Sequence, residues 1–245
     1  YTGISKDKLV QINLPNSITS IGNNSFYSCK GLTSISIPNT VTSIGDYAFQ
    51  QCSAMKSITL GSGLQTIGAQ SIYKTGLKVI NSLSVVPPTL GPKALAENYI
   101  SIVYVPSTSV SSYQSATGWQ SLPISTDELV SVNNATAGAL AATINSSGYQ
   151  LSSISKLKVS GYLNSSDFEQ IKNNMPLIME LDFTDASIQG NAIPANAFYG
   201  KNILTTVKLP SIIESIGDNA FASCSNLADI FPLPSSLKTI GSSSF

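Results

Sequence analysis

The sequence predicts a β-rich α/β solenoid, in which short parallel strands stack at intervals of about 23 residues. Three observations support this fold class. Segments 9–31 and 32–54 align without a gap, so that Phe26 and Phe49 occupy equivalent positions. Each segment opens with the apolar spacing Leu-x-x-Ile-x-Ile/Leu. Each then contains Ser-Ile-Gly, with Phe four residues after the Gly.

The same repeat recurs in both halves of the chain. Further copies, two of them degenerate, occupy 55–76, 89–95, 192–198, 204–226 and 227–245. Ile72 takes the Phe position in the first of these, and the last copy has one residue inserted between 227 and 237. A single repeat cannot bury its own apolar face, so neighbouring repeats must pack against each other.

The opening segment of each repeat is typical of leucine-rich repeats, in which a short strand points its apolar residues into a solenoid. In the second copy this predicts that Leu32, Ile35 and Ile37 face the core, while Ser34 and Ser36 face outward. Successive strands are then parallel and about 4.8 Å apart. A proline after the strand removes a backbone donor and ends it.

The segment Ser-Ile-Gly-Asp-Tyr-Ala-Phe at 43–49 is interpreted as a turn and not as a catalytic or phosphate-binding loop. The residue after the glycine differs between copies, whereas the Ile, the Gly and the large apolar residue are retained in most of them. We expect Ile44 and Phe49 to face the core and Gly45 to permit a bend or a positive φ. Asp46 and Asp218 are predicted to be turn or cap residues.

The spacing in "IPNTVTSIGDYAFQQC" resembles the BspA-like leucine-rich repeats of bacterial surface proteins. The resemblance covers most of the chain. It implies an extracellular or cell-surface location and a role in contacts with host proteins, matrix or other cells. Residues 85–119 resemble the family's C-terminal cap, and residues 137–188 resemble its N-terminal entry segment.

These segments predict two domains in an unusual order. Residues 1–125 are predicted to be the end of one array with its cap at 85–125; residues 126–245 are predicted to be an entry segment (126–176) and the start of a second array (177–245). Helices are predicted at 137–144 and 165–174. Ser166 and Glu169 have capping-box spacing at the start of the second helix.

The order leaves two interpretations open. The sequence stops at Phe245 within a repeat, and joining it to Tyr1 gives "SSSFYTGI", a plausible continuous repeat. The chain is then either a piece of a longer tandem array, or its segments are permuted or its open ends stack head to tail between molecules. An uncapped solenoid end presents apolar surface and strand edges that such a contact covers.

The composition argues against several classes of function. The 13 basic residues are all Lys, they balance 13 acidic residues, and the chain has no His. A nucleic-acid footprint is therefore absent, and the commonest general base and metal ligand is missing. No cofactor is predicted, and no run reaches the roughly 20 apolar residues of a membrane span.

The three cysteines and one group of acidic residues are candidates for covalent or metal chemistry. Cys29, Cys52 and Cys224 share one repeat position, so they are either buried free thiols, which we favour, or a Cys29–Cys52 disulfide. Glu180, Asp182 and Asp185 are a conceivable cation cluster, but no loop of the kind that binds calcium accompanies them. Asp167 and Glu169 are interpreted as first-turn helix acids.

Charged and aromatic side chains are expected on the outer surface and in the cap. Repeat alignment places Lys156 beside Glu180 and places Lys158 and Lys208 beside Asp182, either as an ion-pair ladder or as a polar patch for a partner. Trp119 and Tyr113 are predicted to cover the last repeat. Alternation predicts that three apolar or aromatic residues point outward: Ile102, Tyr104 and Phe231.

Three hypotheses for function remain. The first is a non-enzymatic module that binds a protein or a glycan through the outward strand residues. These candidate site residues are Gln11, Asn13, Ser34, Ser36, Ser57, Thr59, Tyr104, Lys158, Asp182 and Lys208. The second is a structural spacer that displays other domains. The third, a carbohydrate-active enzyme, needs a pair of carboxylates in a cleft, and no catalytic motif is apparent.

Overall fold

The computed structural model describes residues 6–230 and 233–245. It divides into two compact units, Tyr1–Thr126 and Asp127–Phe245, each with its own buried apolar core. Short parallel strands stack along both units, and the helices are few and short. The predicted β-rich leucine-rich-repeat solenoid is confirmed.

In the first unit, the strands form two parallel sheets. One contains β1, β3, β5 and β7, and the other contains β2, β4, β6 and β8 followed by the first residues of β9. The bounds are β1 Ser20–Ile21, β2 Ser34–Ser36, β3 Ser43–Ile44, β4 Ser57–Leu60, β5 Thr66–Ile67, β6 Val79–Ser82, β7 Thr89–Leu90, β8 Ile102–Tyr104 and β9 Ile124–Asn134. A 3₁₀ turn at Lys6–Lys8 precedes them.

The observed register follows the repeat period. Ile21 is paired with Ile44, and Ile35 with Ile58, which confirms the spacing of 23 residues. The strand interiors alternate as predicted, with Ile35 buried between the exposed Ser34 and Ser36. We call each repeat of the stack a rung. The rung at 9–31 departs from the prediction, because residues 9–19 form no strand.

The glycine of the turn does not have a positive φ, which was one of the two roles predicted for it. Gly45 and Gly68 are not among the residues with positive φ; that conformation falls two positions later, at Tyr47 and Gln70. The glycine is required by close stacking instead. A Cβ added to Gly68 would lie 2.6 Å from the backbone nitrogen of Asp46 and 2.6 Å from the carbonyl carbon of Gly45 in the preceding rung.

The residue after the glycine connects neighbouring rungs. The Oδ1 atom of Asn23 accepts a hydrogen bond of 2.8 Å from the N–H of Asp46, and Oδ1 of Asp46 accepts one of 2.7 Å from Ala69. Asp218 accepts from Ser242 in the second unit at 2.6 Å. These carboxylates therefore satisfy backbone donors of the next rung, which is more specific than the turn or cap role predicted from sequence.

The segment 85–125, which was predicted to be a cap, contains one short α-helix and two buried aromatic residues. A 3₁₀ turn at Ser107–Ser109 leads into helix α1, Val110–Ser115. Tyr113 and Trp119 are fully buried and pack edge to face, with ring centroids 5.1 Å apart. The indole N–H of Trp119 donates to the carbonyl of Pro88 at 2.8 Å, and the Tyr113 hydroxyl lies 2.6 Å from that of Ser82. Both aromatic residues belong to the apolar core of the first unit.

In the second unit, the entry segment leads into a new stack. After β9 come α2 Leu140–Ser146, β10 Ile154–Leu163, α3 Ser165–Asn174, β11 Glu180–Asp182, β12 Ala186–Ile188, β13 Ala192–Ile193, β14 Thr206–Lys208, β15 Ser215–Ile216 and β16 Thr239–Ile240. Two 3₁₀ turns lie at Leu151–Ser153 and Gln189–Asn191. β9, β10, β11 and β14 form one sheet, with β12 beside β10, and β13, β15 and β16 form another.

The start of α3 corrects the predicted capping box. The N-cap residue is Asn164, whose side chain accepts from the N–H groups of Ser166 and Asp167. Asp167, not Glu169, returns the bond to the Asn164 N–H at 3.0 Å. The helix begins at Ser165, two residues earlier than a box with Ser166 as its N-cap requires, so Ser166 lies inside it. Helix α2 likewise begins at Leu140 and not at 137.

One of the three residues predicted to face outward is buried. Ile102 is only 5% exposed, although it lies outside the core cluster of its unit. Its partner in the parallel register is Val79, so an apolar neighbour lies beside it on the outer face. Tyr104 is half-buried. Phe231 lies outside the described residues.

Candidate functional site

Six of the predicted site residues lie together on the outer face of the first unit. Ser34 is paired with Ser57, and Ser36 with Thr59, in adjacent parallel strands. Gln11 and Asn13 extend this face into the rung before them and are exposed. Within the described part of the chain, none of these six side chains forms a hydrogen bond. Their hydroxyl and amide groups are therefore available to a partner.

These six residues line one shallow groove of about 430 Å³. We call it the strand-face groove. Its complete lining is Gln11, Ile12, Asn13, Leu14, Asn16, Ser34, Ile35, Ser36, Pro38, Ser57 and Thr59. None of these residues carries a charge. The groove therefore offers hydroxyl and amide hydrogen bonds beside a small amount of aliphatic surface, which suits an uncharged hydrogen-bonding partner.

Three more predicted site residues lie in the second unit, where lysine and aspartate side chains form ion pairs. The predicted register is confirmed, since Lys158 is paired with Asp182, and Asp182 with Lys208. The ion pairs differ in part: Lys158 Nζ lies 2.7 Å from Asp185 Oδ2, while Lys208 Nζ lies 3.8 Å from Asp182 Oδ2. Exposed pairs of this kind contribute about 0–1 kcal/mol each. Their side chains mainly satisfy one another.

The pKa values of two residues in this ladder are shifted toward the charged state. A hydrogen bond and the charge of Asp185 raise the pKa of Lys158 above its ordinary value. Burial alone would raise the pKa of Asp182, but hydrogen bonds from Thr184 and the charges of the two lysines lower it overall. Both groups therefore stay ionised, and neither is suited to accept or release a proton in a reaction near pH 7.

Next to Lys158, a neighbouring lysine joins two acidic residues. Lys156 Nζ lies 2.6 Å from Asp127 Oδ1 and 3.8 Å from Glu180 Oε1. Glu180, Asp182 and Asp185, the candidate cation cluster, therefore each form an ion pair with a lysine. Asp182 also accepts hydrogen bonds from Thr184. Within residues 6–230 and 233–245, no group of three metal-ligating residues could hold an ion.

Tyr104, the last predicted site residue, is set apart from the strand-face groove. It is paired with Asn81 and Ser125 in the sheet of the first unit and does not line the groove. Ser125 is fully buried. Tyr104 also interacts with other groups of the protein.

The cysteine position has a structural role. All three cysteines are free thiols, as the favoured interpretation predicted. The Sγ of Cys52 donates to the carbonyl of Phe26, and that of Cys224 donates to the carbonyl of Phe198, each at 3.1 Å and each 26 residues back. Burial raises the pKa of Cys52 to about 12. Since the thiolate is the reactive form, this thiol is inert at neutral pH.

Lys201 occupies the same repeat position and was missed by the sequence analysis. It is 8% exposed, and its Nζ donates to the carbonyl of Met175 at 2.8 Å, again 26 residues back. Met175 is the C-cap of α3, so the lysine satisfies a carbonyl at the helix C-terminus. Burial lowers the pKa of Lys201 to about 8. Alignment with Cys52 and Cys224 could have identified this buried amine.

We expect Lys201 to make the second unit more stable as the pH rises. Its folded pKa of about 8 lies below the ordinary 10.5, so between these values the unfolded chain binds more protons. Stability should therefore rise across this window, by up to roughly 3 kcal/mol, and the burial penalty is fully present below pH 8. Urea unfolding followed by circular dichroism at several pH values measures the slope.

Cys224 requires a matched background for this measurement. Burial raises the pKa of the Cys224 thiol above its ordinary value of 9.0. The stability that this buried thiol contributes is therefore lost as the pH rises above 9.0. This loss opposes the gain in stability expected from Lys201. Replacing Cys224 with Thr, the residue that Thr75 supplies at this position in another rung, removes that opposing effect. In this background the added substitution Lys201→Met should abolish the rise between pH 8 and 10.5. An unchanged slope would contradict the assignment.

The sequence analysis also missed several exposed aromatic residues. Tyr99 is 85% exposed and Tyr162 is 59% exposed. Tyr162 lines a second open groove of about 520 Å³ in the second unit, together with Leu163, Asn164 and Ile188. Outward alternation along β10 could have identified Tyr162, whereas Tyr99 lies in a loop. The described helices include none that is long and apolar enough to cross a membrane.

Comparison with known proteins places these features in a family. The family model described as BspA type leucine rich repeat region matches six copies, over residues 5–115 and 191–245. No curated protein sequence matches the chain.

Solved structures of bacterial leucine-rich repeat proteins are similar at low identity. A protein from Bacteroides ovatus is 20% identical, with 93% of this chain and 79% of that chain covered and a TM-score of 0.33. One from Eubacterium ventriosum is 16% identical, with 98% and 83% covered and a TM-score of 0.31. A leucine rich cell surface protein from Faecalibacterium prausnitzii is 15% identical, with 90% and 85% covered and a TM-score of 0.23.

Proposed function

Because this chain belongs to the BspA-type leucine-rich repeat family, we propose that it is a non-enzymatic binding module of a bacterial surface or secreted protein. It recognises its partner, a protein, through the strand-face groove. The observation that carries this proposal is that six outward polar residues, whose side chains form no hydrogen bond within the described residues, line one groove of about 430 Å³. Solenoids commonly use such strand-lined faces to bind proteins.

The chemistry of the groove supports binding and not catalysis. Its lining has no carboxylate, lysine or cysteine that could act as an acid, a base or a nucleophile. In the second unit, Asp182 and Asp185 are engaged by lysines. Small hydroxyl side chains give modest affinity for each contact, so the proposed interface extends over several rungs.

The proposal is tested with the labelled 245-residue chain on arrays of host matrix proteins and of glycans. We expect saturable binding to a matrix protein, with at least about tenfold weaker binding for Ser36→Arg, since a large charged side chain would fill the uncharged groove. Ser53→Arg is the matched control: Ser53 is exposed in the same unit but does not line the groove. It should bind like the wild type.

Other results overturn the proposal. Saturable binding to a glycan alone replaces the protein partner by a carbohydrate. If Ser36→Arg and Ser53→Arg weaken binding equally, the binding surface lies outside the strand-face groove. If no array member binds, the function that remains is that of a spacer that displays other domains.

A further inference from the structure

Four lysines of the first unit form a row along the stack. Each lies within two residues of the apolar residue that opens a rung, and all four side chains are exposed. We call them the lysine row: Lys8 beside Leu9, Lys30 before Leu32, Lys56 after Met55 and Lys78 after Leu77. The repeat period therefore brings one cation to the same edge of four successive rungs.

Backbone hydrogen bonds between rungs connect the lysines of this row. The N–H of Lys56 donates to the carbonyl of Thr33 at 2.8 Å, and the N–H of Lys78 donates to the carbonyl of Lys56 at 2.9 Å. The residues that follow them, Ser57 and Val79, are paired in adjacent parallel strands. Lys56 and Lys78 are therefore direct neighbours, with their backbones about 4.8 Å apart.

The ammonium groups of these two lysines lie in equivalent places. Lys78 Nζ lies 5.2 Å from the centroid of the Tyr99 ring. Lys56 Nζ lies over Gly76, where it would be 2.8 Å from an added Cβ. Gly76 and Tyr99 are 23 residues apart and occupy the same repeat position. The stack therefore presents two cations at the spacing of its rungs.

The charges of the lysine row are not neutralised by the described carboxylates. Within residues 6–230 and 233–245, none of its four ammonium groups forms an ion pair. Asp7 precedes Lys8 and Glu97 lies two residues before Tyr99, and both acids are exposed. Residues 1–126 carry seven lysines and three acidic residues, so the net charge of the first unit is +4. Cations held one rung apart repel each other, so a bound anion stabilises the row.

An exposed aromatic ring continues the row beyond Lys78. Tyr99 is 85% exposed, and the Lys78 ammonium lies over its ring. An aromatic face packs on the apolar C–H face of a sugar, while the neighbouring ammonium pairs with a carboxylate or sulfate of the same chain. A linear acidic polysaccharide repeats both features at regular intervals, as the rungs do. An acidic peptide matches the cations but has no sugar face for Tyr99.

We propose that the lysine row binds a linear acidic polysaccharide along the stack. Its carboxylates or sulfates pair with Lys30, Lys56 and Lys78, and one sugar ring packs on Tyr99. The row spans three rung intervals, roughly 14 Å of stacked backbone, which a few sugar units cover. None of these residues lines the strand-face groove. The polysaccharide is thus a second ligand on a second surface, independent of the protein proposed for the groove.

Surface plasmon resonance of the 245-residue chain on immobilised heparin, a sulfated polysaccharide, tests this proposal. We expect saturable binding that weakens as sodium chloride is added, since salt screens exposed charges. Immobilised dextran, which is neutral, should not bind the chain. A lack of saturable heparin binding at low salt, or binding that salt does not weaken, overturns the proposal.

Charge-matched variants locate the bound heparin. Lys78→Gln should weaken binding about fivefold, because it removes a close charge pair and the cation on Tyr99. Lys93→Gln removes the same charge from an exposed lysine outside the row and should weaken binding less than about twofold. Ser53→Arg should tighten binding, because Ser53 is exposed at the repeat position of Lys30. Equal losses for the two lysine variants would show attraction to the net charge alone and overturn the row.

Two further comparisons separate this surface and this ligand from their alternatives. Ser36→Arg, which fills the strand-face groove, should not weaken heparin binding; if it abolishes binding, the polysaccharide lies in the groove and not on the row. Poly-glutamate serves as the probe for an acidic protein. Tyr99→Ala should weaken the binding of heparin and leave that of poly-glutamate unchanged. Equal weakening for both probes, or none for heparin, would favour an acidic protein and overturn the polysaccharide.

Discussion

Replacing Phe198 with Ala is expected to lower the free energy of unfolding of the second unit by about 3–5 kcal/mol. The ring is fully buried. It stacks on Phe221 with centroids 5.0 Å apart and also contacts Phe168 at 5.7 Å and Phe183 at 6.2 Å. Truncation leaves a cavity between α3 and two rungs. The surrounding backbone cannot move in to fill this cavity, because hydrogen bonds between the rungs hold it in place. Urea unfolding followed by circular dichroism measures the loss.

The same repeat position supplies a matched control. Phe245 has an equivalent stacking partner in Phe221 but is 59% exposed. Phe245→Ala should cost no more than about 1 kcal/mol, the value of an aromatic contact with little burial. Equal losses for the two variants would show that cavity formation at Phe198 is not what limits stability. Phe198→Leu should recover much of the loss, because it refills most of the volume.

The repeat period made the stacking register predictable from sequence. Residues of the same type recur at a fixed interval, and each is buried by packing against its equivalent in the neighbouring rung. Ile44 and Lys158 therefore have the pairing that alignment gave them. The side-chain partner of Lys158 was not predictable in this way. Asp185 follows β11 in a turn, and its reach toward the lysine depends on the path of that turn.

Residues that differ between repeats were predicted less well than residues that recur. The recurring glycine was recognised, but the close contact that requires it was not predicted, since the sequence gives no distance between the backbones of adjacent rungs. Lys201 interrupts a position of small buried residues, and only the structure identifies Met175 as the carbonyl that it satisfies. Alternation along the strands predicted that Ser34, Ser36, Ser57 and Thr59 face outward, but the groove that they line was not predicted, because its shape depends on how neighbouring rungs are placed.

Replacing Asp167 with Ala is expected to destabilise the second unit by about 3 kcal/mol or more. The carboxylate is fully buried and accepts from Gly138 N–H at 2.7 Å, Leu140 N–H at 2.9 Å and Asn164 N–H at 3.0 Å. It therefore holds the starts of α2 and α3 together. Each donor left without a partner in a buried position costs about 1–3 kcal/mol. Thermal unfolding followed by circular dichroism measures the sum.

Glu169 is the control that separates the observed cap from the one predicted from sequence. It is an exposed acid in the same helix, and it was the expected partner of Ser166. Glu169→Ala should change stability by no more than about 0.5 kcal/mol. Hydrogen exchange should quicken at Gly138, Leu140 and Asn164 in Asp167→Ala only. If Glu169→Ala were as damaging, helix charge and not these three bonds would stabilise the entry segment.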